Sequence, residues 1–249
     1  MEKTIEIREC LTIDEFTDCV QLQRDVFALP EVELSPVRHL VVTKNAGGFA
    51  LGAFDGDRLV GFVLSVPAFL RGERAFYSHM TAVRPEYQSH GIGAQLKWAQ
   101  RERALSEGVK YIKWTFEPVK AKNAYFNIEK LGALVREYMV NFYGTDYSTA
   151  SQTGEEIGLA SDRLFAEWHL ESKKVEALAR CEIYTETNGP TAAIMVMNDW
   201  LGLVASDPAA SLAEQMRIRA EFETAFEYGY VARGFARDSE RPAYLLYKD

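Results

Sequence analysis

Apolar and polar positions alternate over Thr4–Glu9, TIEIRE, which is the period of a half-buried strand. Thr12-Ile13-Asp14-Glu15 fits a capping box and predicts a helix from about Ile13 to Phe27. Pro30 and Pro36 bracket an irregular segment or a second short helix. Gly48–Phe54 and Arg58–Pro67 read as strands joined by the hairpin turn Asp55-Gly56-Asp57. Ala75–Val83 is a third apolar strand. A polar loop then feeds a helix that keeps Ile92, Leu96 and Ala99 on one face and stops at Gly108. Val109–Phe116 reads as a strand ended by Pro118, Asn123–Leu131 as a helix closed by Gly132, and Ala133–Phe142 as a strand.

A stretch rich in Ser, Thr and Gly, Tyr147–Glu156, marks a boundary. The expected organisation is therefore a first part over 1–148 and a second over 149–249. In the second part Arg163–Leu170, Ala192–Asn198 and Ala243–Lys248 read as strands, and Leu212 to about Tyr228 as a helix. The helix-Gly-strand ends LGALVREYMV and YGYVARGFAR echo one another too faintly to make a repeat.

Composition narrows the class. Of 249 residues, 47% are hydrophobic and 26% charged, a soluble globular balance in a chain long enough to bury a core. The net charge of −8 argues against a broad nucleic-acid surface. Cys10, Cys19 and Cys181 form neither a C-x-x-C pair nor a metal-ligand spacing, so reduced thiols, no metal and a cytoplasmic setting are expected. The N-terminus has no apolar signal region and no run approaches a membrane span, so no membrane partner is expected.

The candidate chemistry lies where the third strand feeds the helix. Gln88, Gly91 and Gly93 stand there as Q-x-x-G-x-G, with no acidic residue from Gln88 to Gln95. The first N–H groups of a helix lack intrahelical partners, the helix dipole adds positive charge, and glycine lets a bulky phosphate approach. A P-loop is absent, and a dinucleotide fingerprint fails at Leu96.

With the preceding Met80-Thr81-Ala82-Val83 strand end and the turn Arg84-Pro85-Glu86-Tyr87, this loop resembles the acyl-CoA loop of the GNAT superfamily of N-acetyltransferases, [RQ]-x-x-G-x-[GA]. The resemblance covers about Thr4 to Gly144. It implies an α/β (α+β) fold, a mixed, mainly antiparallel central sheet flanked by helices. The C-terminal α/β extension would complete the sheet, cover the acceptor site or form a homodimer face. It also implies that backbone N–H groups of Gln88, Ser89, His90, Gly91, Ile92, Gly93 and Ala94 hold the CoA pyrophosphate. Thr81, Ala82 and Val83 would pair with the pantetheine arm, and Asn123 would be a further contact.

Acyl transfer to an amine by direct attack needs a neutral amine, a polarised carbonyl and a protonated leaving thiolate. His79 is the first candidate base, since its ordinary pKa is close to working pH; it also reads as a histidine satisfied by packing. Strand period puts Tyr77, His79 and Thr81 on one face, and family members with a base on this strand carry it at the positions of Tyr77 or His79. An N–H near Thr81 would meet the oxyanion. Many members carry a tyrosine acid where this chain has Ile128. Tyr125, Tyr138 or Tyr143 could replace it, though each also reads as a core or rim aromatic. Glu117 could bind the acceptor amine or be a solvated carboxylate. Arg163 could clamp a carboxylate or make a surface ion pair. His90 could touch phosphate or face solvent. Trp98, Trp114 and Trp168 read as core.

The expected reaction moves acetyl from acetyl-CoA to the primary amine of a small molecule. The block W-T-F-E-P-x-x-A-K-N-A-Y-F-N resembles a two-part GNAT subgroup, some of whose relatives are associated with N-succinylation of amino acids, so succinyl-CoA is an alternative donor. Protein N-termini or lysines are alternative acceptors, and a non-catalytic acyl-CoA-binding module is the alternative from another class.

Overall fold

The computed structural model describes residues 5–27, 29–144 and 158–248. The chain divides into two compact units, Met1–Trp114 with His169–Glu171, and Thr115–Trp168 with Ser172–Asp249. The boundary expected at 148/149 lies outside the described residues; the two units part earlier, after Trp114.

In the first unit, β1 (Ile5–Glu9) leads into α1 (Ile13–Phe27) through the expected capping box. The Thr12 hydroxyl accepts from the Glu15 N–H at 3.2 Å, and Glu15 accepts from the N–H groups of Leu11 and Thr12 at 2.7 and 3.0 Å. A 3₁₀ turn, Glu31–Glu33, precedes α2 (Val37–Asn45). Then come β2 (Phe49–Asp55), β3 (Arg58–Leu70), β4 (Glu73–Val83), α3 (Ile92–Ser106) and the start of β5 (Tyr111–Phe116). Strand order is β1-β2-β3-β4-β5, antiparallel except for the β4–β5 pair. Phe16, Leu22, Leu40, Phe54, Phe62 and Leu64 form a core between one sheet face and α1 and α2.

β3 continues past Pro67, which sequence reading took as its end. β2 pairs with β3 only as far as Ser65, so Pro67 stands where one edge of β3 needs no donor.

In the second unit, α4 (Ala121–Tyr125) runs into a π-helical turn, Phe126–Lys130. β6 (Leu134–Met139), β7 (Arg163–His169), α5 (Lys173–Ala179), β8 (Ala192–Met195) and α6 (Trp200–Ser206) follow. α7 (Pro208–Glu227), β9 (Tyr230–Ala236) and β10 (Ala243–Lys248) complete the unit. The strand order is β7-β6-β9-β10-β8, all antiparallel. α7 starts four residues before its expected Leu212, because Asp207 caps it by accepting from the Ala210 N–H and Pro208 suits the first helical position. The core holds Phe222 together with Trp168 and Tyr244, and the polar tips of the last two are met: the indole donates to the Leu131 carbonyl at 2.6 Å and the Tyr244 hydroxyl to that of Pro118 at 2.8 Å. No helix among the described residues is long and apolar enough to cross a membrane.

Candidate active site

The strand end, turn and loop before α3 are pinned from beneath and open above. Arg84 donates through its backbone to Val60 and through its side chain to the Leu59 carbonyl and to Asp25. Tyr87 donates to Asp55 at 2.5 Å, and Gln88 reaches back to the Val83 carbonyl at 2.9 Å. The exposed His90 donates from Nδ1 to the Gln88 carbonyl at 2.7 Å. Ser89 and Gly91 both have positive φ, 65° and 80°, turning the chain sharply into the helix. Ile92, almost fully buried, then anchors the first turn.

Gly91 is the helix N-cap, so no side chain caps α3, and its first turn has no acidic residue. The two glycines differ in cause. Gly91 needs its left-handed backbone. Gly93 does not: it is helical, and an added Cβ would meet only Val83 Cγ2 at 4.0 Å. Neither backbone nor internal packing demands a glycine there, although glycine disfavours a helix by up to about 1 kcal/mol relative to alanine. What its lack of a side chain does provide is open space above N–H groups that no capping side chain meets.

Beside this loop, β4 parts from β5. Among the described residues the two strands pair at Phe76↔Ile112 and Tyr77↔Lys113, while β4 stays registered with β3 up to Gly61↔Val83. The β5-facing edge of Thr81–Val83 is therefore open within this unit.

The parting begins at a bulge. Leu64 faces Met80 and Ser65 faces Ser78, so His79 is the extra residue of β4. This overturns the expected single face for Tyr77, His79 and Thr81. The bulge shifts the alternation, and Tyr77 and Thr81 fall on opposite faces. His79, half-buried, meets the Ser35 hydroxyl at Nε2, 3.0 Å away, and stands edge-on to His39 with ring centroids 5.7 Å apart. Burial first, and the like charge of His39 second, hold its pKa below the ordinary histidine value, so the neutral ring is favoured.

Residues 13–132 match the model of the acetyltransferase (GNAT) family. Through them the chain carries a GNAT acetyltransferase domain. No sequence among the curated proteins compared matches it. Solved structures share the fold at low identity. The ribosomal-protein-S18-alanine N-acetyltransferase of Escherichia coli is 14% identical, with TM-score 0.52, covering 74% of this chain and 99% of its own. The NatC complex bound to Gag peptide and CoA is 18% identical at TM-score 0.51, covering 67% and 98%. Aminoglycoside 6'-acetyltransferase type Ii is 18% identical at 0.51, covering 68% and 99%. The mixed, mostly antiparallel sheet flanked by helices is thus the GNAT sheet.

On the other face of the GNAT sheet in the first unit, beneath the bulge, lies a buried polar cluster that the residue pattern did not announce. The Lys97 ammonium donates to Ser78 at 2.9 Å and to Gln100 at 3.0 Å, and sits 3.8 Å from the centre of the Trp114 ring. Gln100 donates in turn to Ser65 at 2.8 Å. Ser65 and Ser78 are the pair that flanks the bulge, so this cluster ties the irregularity to α3. Burial pulls the Lys97 pKa down to about 7.

The remaining polar sequence candidates lie in the second unit. Glu117 is neither solvated nor bare: it pairs with Lys120 at 2.9 Å and Arg163 at 3.8 Å and accepts from Asn123 at 3.3 Å. Burial works to raise its pKa, but the two cations outweigh it and hold it charged. Asn123 thus directs its amide at a carboxylate, and Arg163 makes an ion pair, as one of its two expectations had it, but a half-buried one rather than one at the surface. Tyr125 is flanked by Arg237 and Lys130, 5.2 and 5.6 Å from its ring centre. Ile128 is fully buried. The Tyr138 hydroxyl donates to Asp162 at 2.6 Å, and burial and that carboxylate push its pKa up. Tyr143 meets Thr115 at 3.2 Å. Trp168 and Trp114 are core, while Trp98 is half-buried. A groove of about 520 Å³ between α7 and β8 holds Arg217 and Glu221, but these bond to one another at 2.7 Å, so it offers shape without evident acid–base chemistry.

Proposed function

We propose that the chain is an acyl-CoA-dependent N-acyltransferase that moves an acetyl group from acetyl-CoA to the primary amine of a small molecule. The observation that carries this reading is Gly93. It has no reason internal to the protein to be glycine, yet it stands in the first turn of an uncapped, acid-free helix beside an open strand edge. A diphosphate approaching the backbone of Gln88–Ala94 supplies that reason, and the residues fit the group. The open edge of Thr81, Ala82 and Val83 then offers backbone partners to an extended amide-bearing arm.

The amine attacks directly in a ternary complex. A lysine-like amine with pKa about 10.4 is less than a thousandth neutral at pH 7, so a base accelerates the step most for basic acceptors. His79 takes that role, with a ring kept neutral and therefore able to accept. Tyr77 is the second candidate on the strand, and Tyr125 the candidate acid, its ring beside two cations. The NatC complex with bound CoA and the aminoglycoside acetyltransferase support a CoA donor and an amine acceptor as the chemistry to test first.

The test is product mass spectrometry after incubation with acetyl-CoA or succinyl-CoA and a mixed amine panel, alongside calorimetry of thioester binding. An acetylated small amine is expected. Preferential use of succinyl-CoA or of peptide amines would redirect the reading within its class, turnover-free binding would make the chain a module, and no binding of any thioester would end it.

A further inference from the structure

His79 is held from a direction that no sequence motif marks. Its Nε2 lies 3.0 Å from the hydroxyl of Ser35, the residue just before the Pro36 cap of α2. Ser35 is itself clamped. The side chain of Gln23, fully buried on α1, accepts from the Ser35 N–H at 2.8 Å and donates to the Ser35 carbonyl at 3.1 Å. One amide thus fixes both backbone polar groups of the serine, and Ser35 is only 7% exposed. A chain of three residues from α1, the α1–α2 connection and β4 therefore sets the position of one imidazole nitrogen. The other nitrogen, Nδ1, makes no hydrogen bond among the described residues.

We propose that Ser35 is the positioning residue of the base: its Oγ accepts from Nε2–H of His79 and so keeps the lone pair on Nδ1. This rests on the reading of His79 as the base. The chemistry favours this assignment of the proton over its reverse. A hydroxyl can donate or accept. When the amine of the substrate gives its proton to Nδ1 and its freed lone pair attacks the thioester carbonyl, His79 becomes an imidazolium with both nitrogens protonated. An Oγ that already accepts from Nε2–H needs no reorganisation at that moment, whereas an Oγ donating to Nε2 would have to turn round. His39 is the one titratable neighbour that acts on the ring among the described residues, and its edge-on contact gives neither nitrogen a hydrogen bond. The Gln23 clamp stops Ser35 from following the ring if it swings.

Long-range proton–nitrogen correlation spectra of the ¹⁵N-histidine-labelled full chain, without acyl-CoA, read the tautomer directly. His79→Gln assigns the signal among the four histidines. The expected result is the Nε2–H tautomer in the wild type and a mixture in Ser35→Ala. Its kcat should fall about tenfold with the KM for acyl-CoA unchanged, a fraction of the effect of losing a base. Ser35→Thr should restore both. If Ser35→Ala does not fold, Ser35→Cys, a weaker acceptor of the same shape, takes the same readings. An Nδ1–H tautomer in the wild type, or an unchanged spectrum in the variant, overturns the proposal. Full activity of His79→Gln overturns it as well, by removing the base, while leaving acyl-CoA binding by the loop intact.

Discussion

Two regions treat polar groups in opposite ways, the β4–α3 junction of the first unit and the Glu117 and Asp162 clusters of the second. In the first, the α3 N-terminus carries no cap, Gly93 leaves space above it, and His79 uses one nitrogen of two. In the second, Glu117 is matched by Lys120, Arg163 and Asn123, and Asp162 by a two-pronged Arg219 at 2.9 and 3.0 Å, Tyr138 and the Asn141 N–H. Saturated groups stabilise a fold and have little left for a ligand; groups with capacity in reserve are where binding can draw. That contrast is what favours the β4–α3 junction as the place of the proposed chemistry.

Substitutions at two glycines would strain the contrast most. Gly93→Leu is expected to weaken acyl-CoA binding by more than roughly 100-fold in calorimetry with an unchanged or slightly raised melting temperature, since the side chain enters only space meant for ligand. Gly132→Ala should do the reverse. Its φ is +77° and its Cβ would meet Val175 at 3.1 Å, so stability falls by about 1–2 kcal/mol with affinity untouched. If both glycines behave alike, the loop is a structural turn.

Next come the acid–base groups. His79→Gln should lower kcat roughly 100- to 10,000-fold with acyl-CoA affinity kept. Glu117→Gln, in contrast, should act mainly on stability in a denaturant melt, because it strands two cations in a half-buried cluster. A smaller effect is read from pH. The folded pKa of His79 lies below the 6.5 of the unfolded chain. As pH falls below 6.5 the unfolded chain takes up a proton that the native one refuses, so stability drops until the folded pKa is passed. kcat/KM should fall only lower down, as pH passes through the folded pKa and the native ring takes up its proton, and His79→Gln should flatten the stability slope. Smallest is the helix cap. Burial favours the neutral form of Glu15, but the N–H groups of Leu11 and Thr12 and the Arg8 guanidinium prevail and lower its pKa to about 2. Glu15→Gln should cost about 1 kcal/mol at pH 7, a difference that vanishes as pH falls from 4.5 towards 2.

Much of the first unit was legible because its signals are local. The capping box, the Asp55-Gly56-Asp57 turn and the Q-x-x-G-x-G loop each specify geometry within a few residues, and each lies where reading placed it. Ser35, Gln23 and Lys97 were not legible, because each acts through a partner 12 to 44 residues away that no spacing announces. A lysine inside α3 reads as a solvated position until Ser78 and Trp114 are seen around it. The second unit yielded α7 and β10 but not α5 or α6, each seven residues long and too short to show a helical period. Reading Tyr77, His79 and Thr81 as one face failed for a simpler reason: alternation holds only while the register does.

The extra residue in β4 has a consequence for how this gene can change. Leu64 meets Met80 and Ser65 meets Ser78 only because one residue too many lies between them. Deleting codon 79 would not merely remove an imidazole; it would remove the phase jump, and one half of the strand would have to turn inside out to keep its partners. For the register of the strand, replacement at this site is tolerable, while loss is not.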